Sequence, residues 1–142
     1  MPTDLRLAEL SFASTDLDNV TLQDGGGALV LGFEFPGPPG ARELGFWFDG
    51  VRAYRHRAES HCTDRDLDAY DVLVEVPQSE WVAELLAATP PDMRDLFPMH
   101  HYLIYLDSAG CYEVVAASWA LLPGAAEGAS PGAPAAGRER SR

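Results

Sequence analysis

The chain has 142 residues, with 22 aspartates and glutamates, 10 arginines, no lysine and a formal charge of −12. Apolar residues make up 46% and charged residues 23% of the sequence, which is the composition of an ordinary globular protein. The excess of acid argues against a nucleic-acid partner, because nucleic-acid binding depends on cations that contact phosphates.

The N-terminus lacks the features of a targeting signal. Residues 1–6 contain no basic segment followed by an apolar run, so no signal peptide is predicted. The apolar stretches are far shorter than the roughly 20 residues that cross a bilayer, so no membrane partner is predicted. Two cysteines, Cys62 and Cys111, are too few for a disulfide framework. We expect a cytoplasmic protein with two reduced thiols.

Alternating apolar residues predict several strands in the first half of the chain. Alternation at 20–22 and at 29–35 predicts two strands, joined by a glycine-rich turn at 23–27. The Asp-Gly pair in this turn, next to further glycines, supplies the positive φ that a hairpin requires. Alternation at 44–48 and the run at 51–56 predict two more strands.

The second half combines further strands with one helix. Alternating valines at 72–76 predict a strand. Ser79 is a suitable N-cap for a helix at 79–88, and the prolines that follow end it. A short turn is predicted at 92–97. The clearest hairpin lies at 102–115, where a turn from Asp to Gly joins two apolar runs.

These elements predict a mainly β (α+β) protein. We expect about seven or eight strands in an antiparallel sheet that is curled or split into a sandwich, with one short helix near 79–88. The absence of strand–helix alternation argues against a doubly wound parallel sheet. Residues 1–122 are predicted to form a single globular domain. Residues 123–142, rich in Ala, Pro and Gly, cannot bury enough surface to offset their ordering entropy and are predicted to be disordered.

A set of arginine, histidine and tyrosine side chains forms the predicted ligand-binding site. Its members are Arg52, Tyr54, Arg55, His56, His61 and His101. Arginines in an acidic protein can hold an anionic ligand through paired hydrogen bonds. The alternative is that they pair with nearby acids such as Glu59 or Asp64.

No motif predicts catalysis, a metal or a cofactor. His56, His61 and Cys62 are metal-ligand types, but the spacings typical of zinc sites are absent. His100 and His101 are adjacent, so on a strand they face opposite ways. They are expected to form a surface pair at the start of a strand.

Residues 48–55 read FDGVRAYR, and residues 101–107 and 110–116 read HYLIYLD and GCYEVVA. These segments resemble small bacterial domains, some of which are similar to the immunity proteins of toxin–antitoxin-type competition systems. The resemblance is one of strand patterns and contains no catalytic signature. It implies a compact, non-enzymatic domain.

Charge and resemblance together predict a small acidic binding protein, an immunity-like inhibitor of a basic protein partner. A strongly negative domain attracts a cationic partner through long-range steering that weakens with salt. The same charge can instead serve solubility alone. A second hypothesis is a small-molecule binding domain or enzyme that holds an anionic ligand in a cleft lined by arginine and histidine. A third is self-association through a sheet edge.

Overall fold

The structure, a computed structural model, describes residues 4–10, 13–35 and 42–122. Within these residues it is mainly β, with nine strands in two antiparallel sheets, which confirms the predicted fold class. The elements are β1 (Leu5–Glu9), β2 (Asp18–Asp24), β3 (Ala28–Phe35), β4 (Arg42–Asp49), β5 (Ala53–Arg57), β6 (Val72–Glu75), α1 (Glu80–Ala87), β7 (His100–Leu106), β8 (Gly110–Ala116) and β9 (Ser118–Leu121). Short 3₁₀ helices lie at Ser14–Asp16, Glu59–His61, Asp64–Ala69 and Pro91–Leu96.

The chain divides into two compact units, each with one sheet. The first unit takes its described residues from 1–15 and 50–117, and its strand order is β1-β6-β7-β8-β5. The second unit takes its described residues from 16–49 and 118–142, with the strand order β2-β3-β4-β9.

A single globular domain over 1–122 stays a prediction. The predicted tail at 123–142 lies outside the described residues.

The second unit follows the alternating patterns closely. Leu29, Leu31 and Phe33 on β3 are buried, and in the β3–β4 register Leu31 lies opposite Phe46 and Leu29 opposite Phe48. Because side chains two residues apart share a face of a sheet, these residues form one apolar layer.

The first unit has its core on the central strands β7 and β8. Every residue of β8 is buried, as is every residue of β7 except the first. Both faces of these strands are therefore covered, and the strands are apolar along most of their length rather than alternating. Their hairpin turns at 107–109, as the sequence predicts, and Gly110 takes a positive φ.

The predicted helix is present as α1. Ser79 is its N-cap, and its hydroxyl oxygen accepts a hydrogen bond from the Val82 N–H at 3.1 Å. The predicted turn after α1 is the 3₁₀ helix Pro91–Leu96. Strands β1 and β9 lie outside the predicted alternating runs. No helix in the described part of the chain has the length and apolar character needed to cross a bilayer.

Candidate functional site: a buried charge network and the surface segment 75–100

The first unit contains a buried carboxylate, Glu113, in the middle of β8. Arg55 lies opposite Glu113 in the β5–β8 register, and strand alternation places Arg57 on the same face as Arg55. Arg55 Nε lies 3.1 Å and Arg57 Nη2 3.0 Å from Glu113 Oε2. His101 Nε2, on β7, lies 2.7 Å from Glu113 Oε1. One carboxylate is therefore bound by three side chains from the two strands that flank β8.

These partners keep Glu113 ionised. Burial by itself raises the pKa of a carboxyl group. The hydrogen bonds from His101 and Arg55, together with the charge of Arg55, lower it by more and hold the pKa of Glu113 at about 2. Since an unpaired buried charge is costly, the burial of β8 depends on this network.

A second buried acid, Asp66, extends the network. The Asp66 carboxylate accepts hydrogen bonds from the Thr63 N–H at 2.8 Å and the Thr63 hydroxyl at 3.1 Å, in a capping box at the start of its 3₁₀ helix. Arg57 binds both Asp66 oxygens, at 2.8 and 3.0 Å. Burial raises the pKa of Asp66, but the hydrogen bonds from Arg57 and Thr63 bring it below the ordinary value. Arg57 thus joins two buried carboxylates.

His101 connects the network to the N-terminus of α1. Its Nδ1 lies 2.7 Å from Ser79 Oγ, the same atom that caps the helix. An ionised Glu113 can only accept, so His101 Nε2 carries a proton, and a neutral His101 accepts the Ser79 hydroxyl proton at Nδ1.

Serine, histidine and carboxylate in a row are the residue types of an acyl-transfer triad. Ser79 Oγ, however, already accepts the Val82 N–H, and two arginines balance the charge of Glu113. Through His101, the row links the N-cap of α1 to Glu113 on the sheet.

These side chains line an open cavity of about 460 Å³. Three arginines face it: Arg55, Arg57 and Arg65. Arg55 lies over the ring of Trp81, with 4.0 Å between its guanidinium carbon and the ring centroid. Arg65 binds Asp4 through two hydrogen bonds, at 2.9 and 3.0 Å. Each arginine is thus paired with an acid that also lines the cavity, and the positive charge is compensated.

The structure brings together only part of the predicted ligand-binding set. Arg55 and His101 line the cavity, whereas Arg52, Tyr54, His56 and His61 are not among its lining residues. Strand alternation is one reason, because Tyr54 and His56 alternate with Arg55 along β5 and face the other way. His56 instead stacks on Tyr112, with 4.4 Å between ring centroids.

The two adjacent histidines do face opposite ways, as predicted. His100 Nδ1 lies 2.7 Å from Glu75 Oε2 and its side chain is partly exposed. The expectation of a surface pair is wrong for His101, which is only 7% exposed. Its hydrogen bonds to Ser79 and Glu113 are the physical reason that a polar ring is tolerated there.

Sequence reasoning misses the acids at the centre of the network. Glu113 offers a signal, because a lone carboxylate in an otherwise apolar strand requires partners when buried. Asp66 offers a second, since it stands three residues after Thr63, which is the spacing of a capping box. Neither signal identifies Arg57 as the shared partner of the two acids, because the contact of Arg57 with both depends on which strands are neighbours in the sheet.

A different kind of site lies at residues 75–100, which we call the surface segment; it includes α1 and the 3₁₀ helix Pro91–Leu96. No residue of the surface segment is buried. It nevertheless carries large apolar side chains: Val76, Trp81, Val82, Leu85, Leu86, Met93, Leu96, Phe97 and Met99. Leu96 is 65% and Met93 37% exposed.

The surface segment is also acidic. It has five carboxylates, Glu75, Glu80, Glu84, Asp92 and Asp95, and one arginine, Arg94, which gives a charge of −4 with neutral histidine. Arg94 Nε donates to the Thr89 carbonyl at 3.0 Å, so this lone cation is directed back to the C-terminal end of α1.

Contacts with arginine and histidine side chains help to hold the surface segment in place. Trp81 contacts both the guanidinium of Arg55 and the ring of His101, whose centroid is 5.2 Å from that of Trp81. The guanidinium of Arg52 lies 4.3 Å from the ring centroid of Phe97. A segment with little buried apolar surface has low local stability.

A groove of about 270 Å³ lies within the surface segment. Its larger apolar lining side chains are Val76, Val82, Leu86 and Met99, and Glu75, His100 and the buried His101 also line it. The groove thus combines an apolar wall with one carboxylate.

One group of metal-ligand types is present in the described residues. Donor atoms of Cys62, Asp66 and Cys111 lie within 4.8 Å of one another. Both Asp66 oxygens are already bound by Arg57, whose positive charge opposes a cation at this place. The arrangement does not favour a metal.

Comparison of the chain with protein-family models, with curated proteins and with solved structures finds no match.

Proposed function

We propose that the protein is a small acidic binding protein that docks onto a basic protein partner through the surface segment and thereby inhibits it, in the manner of an immunity protein. The observation that carries the proposal is that no residue of the surface segment is buried, although the segment is rich in large apolar side chains. A partner that covers these side chains completes their burial.

Exposed apolar surface is the first support. Contiguous apolar patches rimmed by polar residues are typical of protein–protein interaction sites. Trp81 is the candidate anchor, because tryptophan is enriched among the residues that dominate binding energy. Met93 and Leu96 extend the contact onto the neighbouring 3₁₀ helix.

Charge specifies the kind of partner. The surface segment carries −4 and the whole chain −12, so a cationic protein surface is attracted and a nucleic acid is repelled. Long-range attraction of this kind speeds association and weakens with salt. A protein that grips phosphates needs a cationic surface, and the acidic surface segment can cover it.

The groove is suited to a basic side chain. The aliphatic stem of an arginine or lysine packs well against apolar walls such as Val82 and Leu86, while its charged head needs a carboxylate. Glu75, whose Oε2 also lies 2.7 Å from His100 Nδ1, supplies one at the same groove through its second oxygen. We expect an arginine or lysine of the partner to occupy it.

The anionic-ligand hypothesis has less support. The cavity lined by Arg55, Arg57 and Arg65 is large enough for a small molecule. Every one of these arginines is paired with a carboxylate, however, so an anion has to displace Asp4, Asp66 or Glu113 before it can bind.

The test uses the purified product of the reading frame adjacent to the gene for this chain, because an inhibitor has to be made together with its target. Binding is measured by titration calorimetry at about 0.05 and 0.5 M salt. We expect binding at the lower salt and an affinity at least about tenfold weaker at the higher salt. Absence of binding at low salt contradicts the proposal.

Two matched leucine variants locate the interface. Leu96 in the surface segment and Leu67 in another 3₁₀ helix are 65% and 55% exposed. We expect Leu96→Ser to weaken binding by about tenfold or more, and Leu67→Ser to leave it unchanged, with both variants melting like the parent protein. Equal affinities for the two variants place the interface elsewhere.

A further inference from the structure

The two cysteines of the chain meet in the first unit. Cys62 follows the 3₁₀ helix Glu59–His61, and Cys111 lies on β8, 49 residues further along the chain. Their sulfur atoms are 3.1 Å apart, and both thiols are free. Two sulfurs this close need only a small movement to reach the length of a disulfide bond.

The surroundings distinguish the two thiols. Cys111 is fully buried in the apolar cluster that includes Val74, Leu103 and Tyr105, whereas Cys62 is half-buried and packs against the outside of that cluster. Burial raises the pKa of the Cys111 thiol. A small reagent in solution therefore reaches Cys62 first, and Cys111 then attacks the Cys62 sulfur of the mixed disulfide.

We propose that Cys62 and Cys111 form a reversible disulfide through exchange with a low-molecular-weight disulfide. This redox-sensitive pair is independent of the proposed partner binding. The sequence predicts two reduced thiols. In this proposal the thiols are reduced or joined in a disulfide, depending on the surrounding redox conditions.

The reaction proceeds in two exchanges. The Cys62 thiolate attacks one sulfur of oxidised glutathione, forming a mixed disulfide and releasing one glutathione thiolate. The Cys111 thiolate then attacks the Cys62 sulfur, the protein disulfide forms, and a second glutathione thiolate leaves. Two protein thiols are oxidised, one glutathione disulfide is reduced to two thiols, and the two thiol protons end on glutathione.

The bond forms beside the charge network. Cys111 stands opposite Arg57 in the β5–β8 register, and Cys62 immediately precedes Thr63, whose N–H and hydroxyl bind Asp66. The disulfide thus ties the loop that holds Asp66 to β8. Closing a loop of about 50 residues by this bond raises the thermal midpoint by on the order of 10 °C.

The experiment incubates the full chain with oxidised glutathione and follows it by intact mass and free-thiol titration. We expect the mass to fall by two hydrogen atoms, both thiols to disappear, and a reducing agent to reverse both changes. Peptide mapping without reduction is expected to show Cys62 linked to Cys111 within one chain.

Variants that lack one cysteine distinguish the first thiol–disulfide exchange from the second. In Cys111→Ala the exposed thiol has no partner, so a persistent mixed disulfide at Cys62 is expected. In Cys62→Ser the remaining buried thiol is expected to stay free for much longer, and the rise in thermal midpoint on oxidation is expected to be absent. The Cys62→Ser change lies at a half-buried position and is the variant least able to disturb folding.

Three results overturn the proposal. The first is a parent protein that keeps both thiols free in oxidised glutathione, and the second is one that stops at the mixed disulfide or links two chains. The third is stoichiometric zinc binding by the reduced protein that is lost in both variants, together with thiols that oxidised glutathione leaves free even after the zinc is removed. That pair of results assigns the thiols to a metal site.

Discussion

The β7–β8 hairpin and the surface segment adjoin in the chain, share residue 100 and are both rich in apolar side chains, yet they differ completely in burial. Apart from His100, every residue of β7 and β8 is buried, whereas no residue from 75 to 100 is. The hairpin lies at the centre of a sheet, and the surface segment leaves the sheet after β6 and returns to it at β7. Apolar content alone therefore does not decide whether a stretch is buried in the core or stays partly exposed.

The two regions also use charge differently. Glu113 in the hairpin is buried and bound by Arg55, Arg57 and His101. The five carboxylates of the surface segment lie at positions that are not buried. Charge in the hairpin is part of the internal structure, whereas charge in the surface segment lies at positions that solvent reaches.

The largest expected effect comes from replacing one leucine in each region with alanine. Leu103 on β7 is 2% exposed, and Leu103→Ala is expected to lower the free energy of unfolding by about 3 to 4 kcal/mol, since it leaves a cavity in the core. Leu96→Ala, at an exposed position of the surface segment, is expected to change it by less than about 0.5 kcal/mol. Urea unfolding followed by tryptophan fluorescence measures both. Similar losses in the two variants refute the contrast between the regions.

The next effect comes from the buried charge. Glu113→Gln removes the buried anion that Arg55, Arg57 and His101 share. We expect a loss of about 2 kcal/mol in the free energy of unfolding, because these charge-assisted hydrogen bonds are lost, although Arg55 is partly exposed and Arg57 keeps Asp66 as a partner. Glu84→Gln, on the exposed side of α1, is the matched control and is expected to change stability by less than about 0.5 kcal/mol. If the Glu113→Gln protein is as stable as the Glu84→Gln control, the charge network does not contribute to the free energy of unfolding.

The same carboxylate predicts a pH dependence. The pKa of Glu113 is about 2 in the folded chain, below the ordinary value of 4.5, so the folded state binds fewer protons than the unfolded state. Its stabilising contribution is fully present above about pH 4.5 and is lost as the pH falls towards 2. We expect the stability difference between the parent protein and Glu113→Gln to shrink over this range in urea titrations. A difference that stays constant with pH contradicts the assignment.

The smallest effect concerns the junction of the two regions. Ser79→Ala removes the cap of α1 and the hydrogen-bond partner of His101 Nδ1, and we expect a loss of about 1 kcal/mol in the free energy of unfolding. Ser60→Ala, at an exposed position of a 3₁₀ helix, is the control and is expected to be close to neutral. Hydrogen exchange of the α1 amides is expected to accelerate in Ser79→Ala only. Unchanged exchange there rules out the role of Ser79 as the link between helix and sheet.

Much of the fold follows from local patterns in the sequence. The Ser79 cap and the prolines after Thr89 bound α1, the glycine-rich turn joins β2 to β3, and alternation identifies β3 and β4. Strands β1 and β9 are short, at five and four residues. Length alone is not the reason that these two strands are not predicted, because β6 also has four residues and is predicted by its alternating valines. Strand β9 reads SWAL and lacks such alternation, and β1 has only Leu5 and Leu7 as an alternating pair.

The candidate site is less predictable. The predicted cleft groups Arg55 with Tyr54 and His56, although strand alternation places the last two on the other face of β5. Alternation also does not show that β8 lies beside β5. Without that neighbour relation Glu113 cannot be recognised as the partner of Arg55 and Arg57. The burial of His101 likewise depends on the side chains of Ser79 and Glu113, which stand far from one another in the sequence.

By itself the sequence determined the strand and helix periodicities, the strong negative charge and the apolar content of each segment, because these are properties of neighbouring residues. Only the tertiary structure decided which strands pair, which carboxylates are buried beside arginines, which thiols touch and which apolar segment contains no buried residue. The physical reason is that periodicity tells which face of an element a side chain occupies, whereas burial and pairing depend on what the rest of the chain places against that face.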